Sequence, residues 1–441
     1  MILSAASPAR PSLEELEGLL RIELTRSGER DIRSFALAAT PLAYCQGEFD
    51  CWVATPGTCR AKDAEQAIVR AIHDADRLVL LDEVTFGGHS FIVKRAQDRL
   101  LCLLTPFFEK RAALTHHGAR YERTASLYAL GWMPVLDTDE VETWTALADA
   151  NAINMLAPCS GAVVVDDPGR DGWAAQLRAL LASTAEPGAD IAPRRSLRQV
   201  LVDAAEPAFE TPAPPPPRTA ALLVGSAKIK GTSVSESLAR ALMARLATEG
   251  VTTELHFATE FVHENAHTLA AAAAIARADL VALVSPLYVD ALPALVVHAL
   301  ELIAAARATT PAPARLVALI NCGFPEPEQI RTALRIVRHF ADRAGYHWAG
   351  GLPLGGGGTL DPQRALDEQH GPAEHVKLAL DLAAPALAHG LDVPAAALEK
   401  IMKAPMPDAV YRIAGDLGWR YQAHKNGVAQ RALRARPLDH T

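Results

Sequence analysis

Short apolar runs alternate with helical patterns along most of the chain. In the second half, residues 220–225 (AALLVG) are a short apolar run, which is typical of a strand buried on both faces. Residues 233–248 then carry leucine at every fourth position from Leu238, and this period predicts a helix. The same reasoning predicts further strands at 251–257, 280–285, 315–321 and 350–354, and further helices at 293–306, 326–345 and 375–388.

The first half shows the same alternation. Its predicted strands are 1–5, 31–37, 78–82, 126–132 and 161–166, and its predicted helices are 12–25, 63–74, 90–104, 138–151 and 173–183. Strands that alternate with helices favour a doubly wound parallel sheet with helices on both faces. The pattern therefore predicts the α/β class, with two five-stranded parallel sheets in tandem, each in a three-layer α/β/α arrangement.

Three landmarks align the two halves at falling offsets. They are Ser7 with Ser226 (219 positions), Phe86 with Val289 (203 positions) and Pro134 with Pro325 (191 positions). The falling offset predicts two insertions in the first half, one before Phe86 and a second, at 105–121, before Pro134. The landmarks favour a tandem repeat of one fold; the alternative is that two unrelated α/β domains look alike at this level of detail.

A proline run separates the halves. Residues 214–217 are four consecutive prolines, which cannot continue a helix or pair inside a sheet and act as a semi-rigid spacer. The predicted organisation is a first domain at 1–205, a linker at 206–218, a second domain at 219–390 and a helical extension at 391–441.

Composition and charge exclude several classes of protein. The 441 residues are 50% hydrophobic, which is enough for sizeable cores, and 43 Lys and Arg against 51 Asp and Glu give a net charge of −8. This balance argues against a nucleic-acid-coating protein. Six cysteines are few for a disulfide scaffold. No leader and no long uninterrupted apolar run is visible, so we expect a soluble cytoplasmic protein without membrane insertion.

The loop at 225–233 (GSAKIKGTS) lies between a predicted buried strand and a predicted helix. Serine and threonine hydroxyls together with the free N–H groups of a helix N-terminus make an anion site suited to phosphate. The loop matches neither the Walker A motif nor the G-x-G-x-x-G pattern. The alternative is a helix-capping turn with two solvated lysines.

Two more loops follow strands predicted to end at the same sheet edge. In the loop at 285–293, Pro286 fixes the turn and Tyr288 offers a flat face to a planar ring. The loop at 321–325 (NCGFP) follows the next strand. Ligands of open α/β sheets bind at the carboxyl ends of the strands, so the three loops predict one composite pocket.

Residues 222–357 resemble the NAD(P)H-dependent FMN reductases of the flavodoxin-like superfamily. The resemblance rests on the motifs GSAKIKGTS (225–233), ADLVALVSPLYVDALPALVVHALE (278–301) and INCGFPEPEQ (320–329). It implies that the FMN phosphate is bound by Ser226, Lys228, Thr232, Ser233 and Ser235. It implies that the isoalloxazine ring lies against Pro286, Leu287, Tyr288 and Val289, and is flanked by Asn321, Cys322 and Gly323.

The first domain resembles the same superfamily through residues 45–59 and 76–99. The resemblance implies a flavin-ring loop made by Val84, Thr85, Phe86, Gly87 and Gly88, and a phosphate loop containing Ser7, Arg10 and Ser12. Glu83 stands where the family usually has proline, and the phosphate loop lacks the leading glycine. The first domain is therefore either a second FMN site or a degenerate copy without flavin.

Two other motifs suggest metals. Cys45-x2-Glu48-x2-Cys51-x7-Cys59 resembles the cysteine-rich loop of iron–sulfur flavoproteins, but a cluster usually needs four thiolates. A packed or redox-labile thiol loop is favoured. Residues 263–267 (HENAH) match H-E-x-x-H, a pattern that arises by chance in a chain with 15 histidines. No metal site is predicted.

These observations predict an FMN-dependent oxidoreductase that passes electrons from NAD(P)H through FMN to a small acceptor such as a quinone or a flavin. No catalytic side chain is predicted, because the flavin carries the chemistry. The alternative is a non-catalytic electron carrier or a redox-sensing binding protein; a third class is a structural protein with two degenerate pockets. Family members commonly dimerise, so we expect either a monomer whose tandem domains replace that dimer or a homodimer.

Overall fold

The computed structural model describes residues 1–111, 113–188, 197–205, 214–309 and 312–440. Residues 206–213 of the predicted linker lie outside this part of the chain. The chain forms two compact units, Met1–Ala192 with Arg412–Thr441, and Pro193–Tyr411. Within the described residues, no helix combines the length and the apolar character that crossing a bilayer requires.

The first unit contains a parallel sheet and a separate hairpin. Its strands are β1 (Ile2–Ser4), β2 (Ser34–Ala36), β3 (Arg77–Thr85), β4 (Gly88–His89), β5 (Leu104–Arg111), β6 (Leu114–Ala119), β7 (Ser126–Met133) and β8 (Ser160–Asp166). Its α-helices up to residue 181 are α1 (Pro11–Arg26), α2 (Asp50–Val53), α3 (Glu65–His73), α4 (Phe91–Gln97), α5 (Thr138–Asn154) and α6 (Trp173–Leu181).

The parallel strands of the first sheet run in the order β2-β1-β3-β7-β8. Strand β1 lies between β2 and β3, with Leu3 opposite both Phe35 and Leu80. Counted along these five strands, the order is 2-1-3-4-5, which is the flavodoxin-like arrangement. The short strand β4 pairs antiparallel with the end of β3.

The second unit contains a parallel sheet and the helices around it. Its strands are β9 (Thr219–Val224), β10 (Thr252–Phe257), β11 (Leu280–Pro286), β12 (Arg315–Asn321) and β13 (His347–Leu354). Its helices are α7 (Leu197–Ala205), α8 (Val234–Thr248), α9 (Ala266–Arg277), α10 (Ala294–Thr309), α11 (Arg331–Arg343), α12 (Glu374–Ala388) and α13 (Ala395–Ile401). Helix α14 (Asp408–Lys425) contains the boundary between the units at Tyr411.

The second sheet has the same arrangement as the first. Its order is β10-β9-β11-β12-β13, again 2-1-3-4-5, and all its pairs are parallel. Every residue of β12 is buried, and β11 is buried up to Ser285. Strands covered by helices on both faces need such continuous apolar runs. The predicted fold class is confirmed: the protein is α/β with two flavodoxin-like sheets and a helical C-terminal tail.

The helix predicted at 90–104 is too long, because the second insertion of the first domain begins with a strand. The helix predicted at 90–104 ends at Gln97, a 3₁₀ turn covers Leu100–Leu103, and β5 begins at Leu104. Strand β5 pairs antiparallel with β6, with Arg111 opposite Leu114, so the second insertion of the first domain is a hairpin. The apolar residues at 100–104 fit the helical pattern, so the sequence predicted a helix up to residue 104. In the structure Leu104 already belongs to a strand, because it pairs with β6.

Helix α7 bears on the domain boundary predicted at residue 205. The predicted first domain includes the residues of α7, but in the structure this helix packs against β13 and α11 of the second unit. Asp203 of α7 forms an ion pair with Arg331 at the start of α11. Residues 391–411, predicted as part of the extension, belong to the second unit, and residues 412–441 belong to the first.

Candidate functional site

Asn321 connects the loops at the carboxyl edge of the second sheet. It is the last residue of β12, and its backbone carbonyl accepts a hydrogen bond of 2.9 Å from the N–H of Leu287. Its side-chain Oδ1 accepts a hydrogen bond of 2.8 Å from Ser235 Oγ, on the first turn of α8. A single buried residue therefore ties the loops that follow β9, β11 and β12.

The first of these loops ends in a capped helix. Ser233 is the N-cap of α8, and its Oγ accepts a hydrogen bond of 3.1 Å from the N–H of Glu236. The Glu236 carboxylate reaches back to the N–H of Gly231 at 2.5 Å and is itself paired with Arg240 at 2.7 Å. The charge of this carboxylate is thus compensated within the loop.

The rest of the first loop carries hydroxyl groups and lysines. Ser226 is buried, and its Oγ accepts a hydrogen bond of 3.3 Å from the N–H of Lys228. The Thr232 hydroxyl donates to the carbonyl of Ile229 at 2.6 Å, and the ammonium group of Lys230 lies 4.1 Å from the centre of the Phe257 ring. The loop combines hydroxyls, cationic side chains and a helix N-terminus, the donor set that phosphate requires.

Gly225 lets the first loop pass close to β11. A Cβ atom at this position would lie 2.5 Å from Ser285 Oγ, inside van der Waals contact. The Ser285 hydroxyl is used locally, since it donates to the carbonyl of Pro286 at 3.0 Å. The glycine predicted at the head of a phosphate loop is therefore also required by packing.

The second loop forms a tight two-residue turn. Tyr288 and Ala291 exchange backbone hydrogen bonds of 2.9 and 3.1 Å, and Val289 and Asp290 between them have φ angles of 49° and 58°. Two consecutive positive φ angles define a type I′ turn. A β-branched residue such as Val289 rarely adopts this conformation. The side chains predicted to contact a ring, Pro286 to Val289, are all half-buried and so present partly open apolar surface.

The third loop holds a buried thiol and an exposed glycine. Burial raises the pKa of Cys322 to about 12, and its thiol donates to the carbonyl of Phe324 at 3.1 Å. Gly323 is exposed, and its carbonyl accepts a hydrogen bond of 2.6 Å from the Tyr411 hydroxyl. The contact between Tyr411 and Gly323 could not be predicted from the sequence, because Tyr411 lies 88 positions away and belongs to none of the three loop motifs.

The first unit has the same turn in a closed environment. Thr85 pairs with Gly88, and Phe86 and Gly87 between them have φ angles of 54° and 74°. The landmark that aligns Phe86 with Val289 therefore identifies the same position of the same turn. Phe86 is only 6% exposed, and the N–H of Gly87 donates to the buried Glu140 carboxylate at 2.9 Å.

The predicted phosphate residues of the first unit are bonded to the protein's own carboxylates. Arg10 forms an ion pair of 3.0 Å with Glu83, and the Ser12 hydroxyl donates to Asp167 at 3.1 Å. The carbonyl of Ser7 accepts from the N–H of Arg10 at 2.7 Å. An incoming phosphate would have to displace these carboxylates against their charge.

A buried polar cluster lies beneath the first turn. Asp82 accepts hydrogen bonds from the Ser90 hydroxyl at 2.6 Å and from the Ser90 N–H at 2.9 Å, and it lies 3.1 Å from His89 Nδ1. Burial raises the pKa of Asp82, although these partners oppose the shift. The ring of Trp144 packs edge-on against His89 at 4.6 Å. Val84, at 4% exposure, completes this closed side of the turn.

The H-E-x-x-H motif spans a helix boundary. Asn265 caps α9, so His263 and Glu264 precede the helix and His267 lies in its first turn. Two imidazoles four residues apart face one metal only when both lie on one helix. Among the described residues, no group of three or more His, Cys, Asp or Glu side chains is arranged to hold a metal ion.

Comparisons with known proteins add little to this geometry. No family model and no curated protein matches the chain. The chain is similar to an azoreductase from Bacillus anthracis str. Sterne (15% identity, TM-score 0.27, 98% of that chain), an NAD(P)H:quinone oxidoreductase from Methanothermobacter marburgensis (16%, 0.29, 95%) and the azoreductase AzrA (16%, 0.27, 99%). Each match covers 39% of this chain. The strand order of the two sheets carries the fold assignment, and similarity at these TM-scores adds no argument.

Proposed function

We propose that the second unit binds FMN and passes electrons from NAD(P)H to a small acceptor such as a quinone or a free flavin. The observation that carries this proposal is the pair of hydrogen bonds made by Asn321, to Ser235 and to Leu287. They hold three loops together at the sheet edge where flavodoxin-like folds bind their ligands.

The first loop fits the phosphate end of FMN. Ser226, Thr232 and Ser233 supply hydroxyl groups, Lys228 supplies positive charge, and the first turn of α8 supplies backbone N–H groups. Glu236 is the one carboxylate bonded within this loop among the described contacts, and its pair with Arg240 offsets its charge. The donor set therefore suits an anion.

The second and third loops fit the flat end of the ligand. Pro286, Leu287, Tyr288 and Val289 are half-buried, so a ring could cover apolar surface that is now partly exposed. Gly323 is exposed, and its carbonyl is bonded by the Tyr411 hydroxyl, so its backbone N–H is the polar group that it offers beside this surface. Mostly apolar lining with a few polar groups is typical of cofactor sites.

Bound FMN would supply hydride acceptance and electron transfer, and the chain's own residues would do the rest. Lys228 and the hydroxyls of the first loop would bind the phosphate, and Tyr288 and Val289 would orient the ring. Cys322 keeps its proton because burial raises its pKa to about 12, so it acts as a hydrogen-bonded packing group and not as a nucleophile. No other side chain is assigned a chemical step.

We propose that the first unit is a copy of the fold without flavin. The Phe86 side chain is buried, and the carboxylates of Glu83 and Asp167 are bonded to Arg10 and Ser12. These contacts favour the degenerate copy over a second FMN site. The expected stoichiometry is therefore one FMN per chain.

The flavin-to-polypeptide ratio of the full-length protein, after reconstitution with FMN and removal of excess ligand, tests the proposal. A ratio near one is expected, and oxidation of NADH or NADPH with a quinone acceptor should follow. A ratio near two would show that the first unit also binds flavin. A protein that takes up no FMN would overturn the function, and bound FMN without turnover would favour the non-catalytic electron carrier.

A further inference from the structure

An ion pair between Asp50 and Arg60 joins the two ends of the loop that contains Cys51 and Cys59 in the first unit; we call this pair the neck of the loop. Arg60 donates to the Asp50 carboxylate, so the chain on either side of the loop is joined at these two positions. Cys51 and Cys59 are the next residues inside the pair. The N–H of Gly57 donates to the carbonyl of Cys51 at 2.9 Å, which folds the returning arm back toward Cys51.

Arg99 contacts Cys59 directly. One guanidinium nitrogen, Nη2, lies 3.1 Å from Cys59 Sγ. Arg99 is buried and held in place by the Asp63 carboxylate and by the carbonyl of Ala43 at 3.2 Å. A cation at hydrogen-bond distance stabilises a thiolate, which is the reactive form of cysteine. Cys59 is half-buried and so remains accessible to a small reagent.

The neighbouring thiols differ from Cys59. Burial raises the pKa of Cys45 to about 12, and burial also raises that of Cys51. Cys102 is 1% exposed, and its thiol donates to Glu65 at 2.9 Å. These three sulfurs therefore keep their protons, and Cys59 is the cysteine of the cluster with a cation against its sulfur.

We propose that Cys51 and Cys59 form a reversible dithiol–disulfide pair in which Cys59 reacts first and Cys51 resolves. The oxidant is a small disulfide such as oxidised glutathione. The Cys59 thiolate attacks one oxidant sulfur, forming a mixed disulfide and releasing one glutathione thiolate. The released glutathione thiolate then takes the proton of Cys51 as Cys51 Sγ attacks Cys59 Sγ, which releases the second glutathione as its thiolate. The two cysteines lose two electrons, and the oxidant disulfide gains them.

Two contacts across the loop favour Cys51 as the partner: the Asp50–Arg60 pair joins the residues next to Cys51 and Cys59, and the N–H of Gly57 bonds the carbonyl of Cys51. Cys45 lies outside the Asp50–Arg60 neck, and Cys102 is already bonded to Glu65. The disulfide would close a short loop, so its formation costs little chain entropy beyond what the ion pair has already restricted. This site lies in the first unit and does not depend on the proposed flavin function.

Oxidation of the full-length protein with oxidised glutathione, followed by alkylation, digestion without reductant and mass spectrometry, tests the proposal. The expected product is a Cys51–Cys59 disulfide that dithiothreitol reverses. Before oxidation, iodoacetamide at neutral pH should label Cys59 at least ~10-fold faster than Cys159, which is also half-buried. In Cys51→Ser, glutathione should remain on Cys59 as a stable mixed disulfide.

Two matched variants separate chemistry from folding. Cys159→Ser should leave the Cys51–Cys59 disulfide unchanged, while Cys59→Ser should abolish it and leave circular dichroism unaltered. Arg99→Lys keeps the charge but loses the fork geometry, and it should slow labelling of Cys59. A dominant disulfide involving Cys45 or Cys102, or equal labelling of Cys59 and Cys159, would overturn the proposal.

Discussion

The turn at residues 85–88 and the turn at residues 288–291 share a backbone conformation but differ in their surroundings. Each has two consecutive positive φ angles, at Phe86 and Gly87 in the first unit and at Val289 and Asp290 in the second. Phe86 is buried, whereas Val289 is half-exposed. The two turns therefore share a backbone shape, while the side chain at the first central position is buried in one and partly accessible in the other.

The loops after the first strand of each sheet differ in a second way. In the first unit, Arg10 and Ser12 are bonded to the carboxylates of Glu83 and Asp167. In the second unit, the hydroxyls of Ser226 and Thr232 are bonded to backbone groups only among the contacts described. A phosphate would replace hydrogen bonds to neutral backbone groups in the second unit but would oppose the negative charge of two carboxylates in the first. The two units share a fold, but the loop after the first strand is bonded to carboxylates in the first unit and to backbone groups in the second.

Replacing the first positive-φ residue of each turn by glycine gives the largest expected contrast. Phe86→Gly removes a buried ring and should lower the free energy of unfolding by about 3 kcal/mol, even though glycine relieves the backbone. Val289→Gly removes little buried surface and relieves a strained β-branched residue, so the free energy should stay within about 1 kcal/mol of wild type. Guanidinium denaturation of the full chain, followed by circular dichroism, measures both.

The same two variants have opposite expected effects on the ligand. Val289→Gly should weaken FMN binding, because Val289 belongs to the proposed ring surface, while Phe86→Gly should leave the FMN affinity of the second unit unchanged. If Val289→Gly destabilised the protein more than Phe86→Gly, the second turn would be the packed one, and the comparison would be reversed.

Placing a negative charge in the first loop of each unit gives the next largest effect. Lys228→Glu should raise the Kd for FMN roughly 30-fold, about 2 kcal/mol, because it replaces an attraction to phosphate by a repulsion. Ala9→Glu, at the position aligned by the Ser7–Ser226 landmark and exposed in the structure, should change the Kd less than about twofold. Quenching of flavin fluorescence at fixed ionic strength measures both values.

Riboflavin serves as the control for this experiment, because it lacks the phosphate. Its affinity should be the same for Lys228→Glu and for wild type, and the loss for FMN should shrink in 1 M salt. An equal loss for riboflavin would mean that Lys228 supports the shape of the loop rather than the charge of the ligand.

The sequence predicted the sheets because their signal is local. The buried runs of β11 and β12 and the helical period of α8 lie within short windows, and the offset between Phe86 and Val289 found equivalent turn positions without any contact information. The sequence also predicted where α8 begins, so it placed Thr232 and Ser233 next to the N-terminus of that helix.

Contacts between residues that lie far apart in the chain could not be predicted from the sequence. Nothing local shows that Tyr411 bonds Gly323, that Arg99 contacts Cys59, or that Asp167 takes the hydroxyl of Ser12. The hairpin of β5 and β6 was missed for the same reason, since strand pairing overrode an apolar pattern that also suits a helix. The pairing of Arg10 and Ser12 with carboxylates in the first unit also depends on such long-range contacts.

Asp167→Asn gives the smallest expected effect and tests what closes the first unit. Partial burial acts to raise the pKa of Asp167, but hydrogen bonds from Arg170, Trp132 and Ser12 outweigh it and hold the pKa below its ordinary value. A carboxyl with a lowered folded-state pKa stabilises the fold above its unfolded-state pKa of about 4, and this stabilisation is lost as pH falls through the folded-state pKa.

The variant should therefore lose under about 1 kcal/mol of stability at pH 7, since Asp167 is exposed enough for solvent to screen its ion pair. The difference from wild type should disappear as the pH falls below the lowered folded-state pKa of Asp167, where the carboxyl of the wild type is protonated as well. Thermal unfolding across this pH range measures it. The flavin ratio should stay at one, because the buried Phe86 side chain is unchanged; a ratio of two would mean that charge alone, and not packing, keeps the first unit empty.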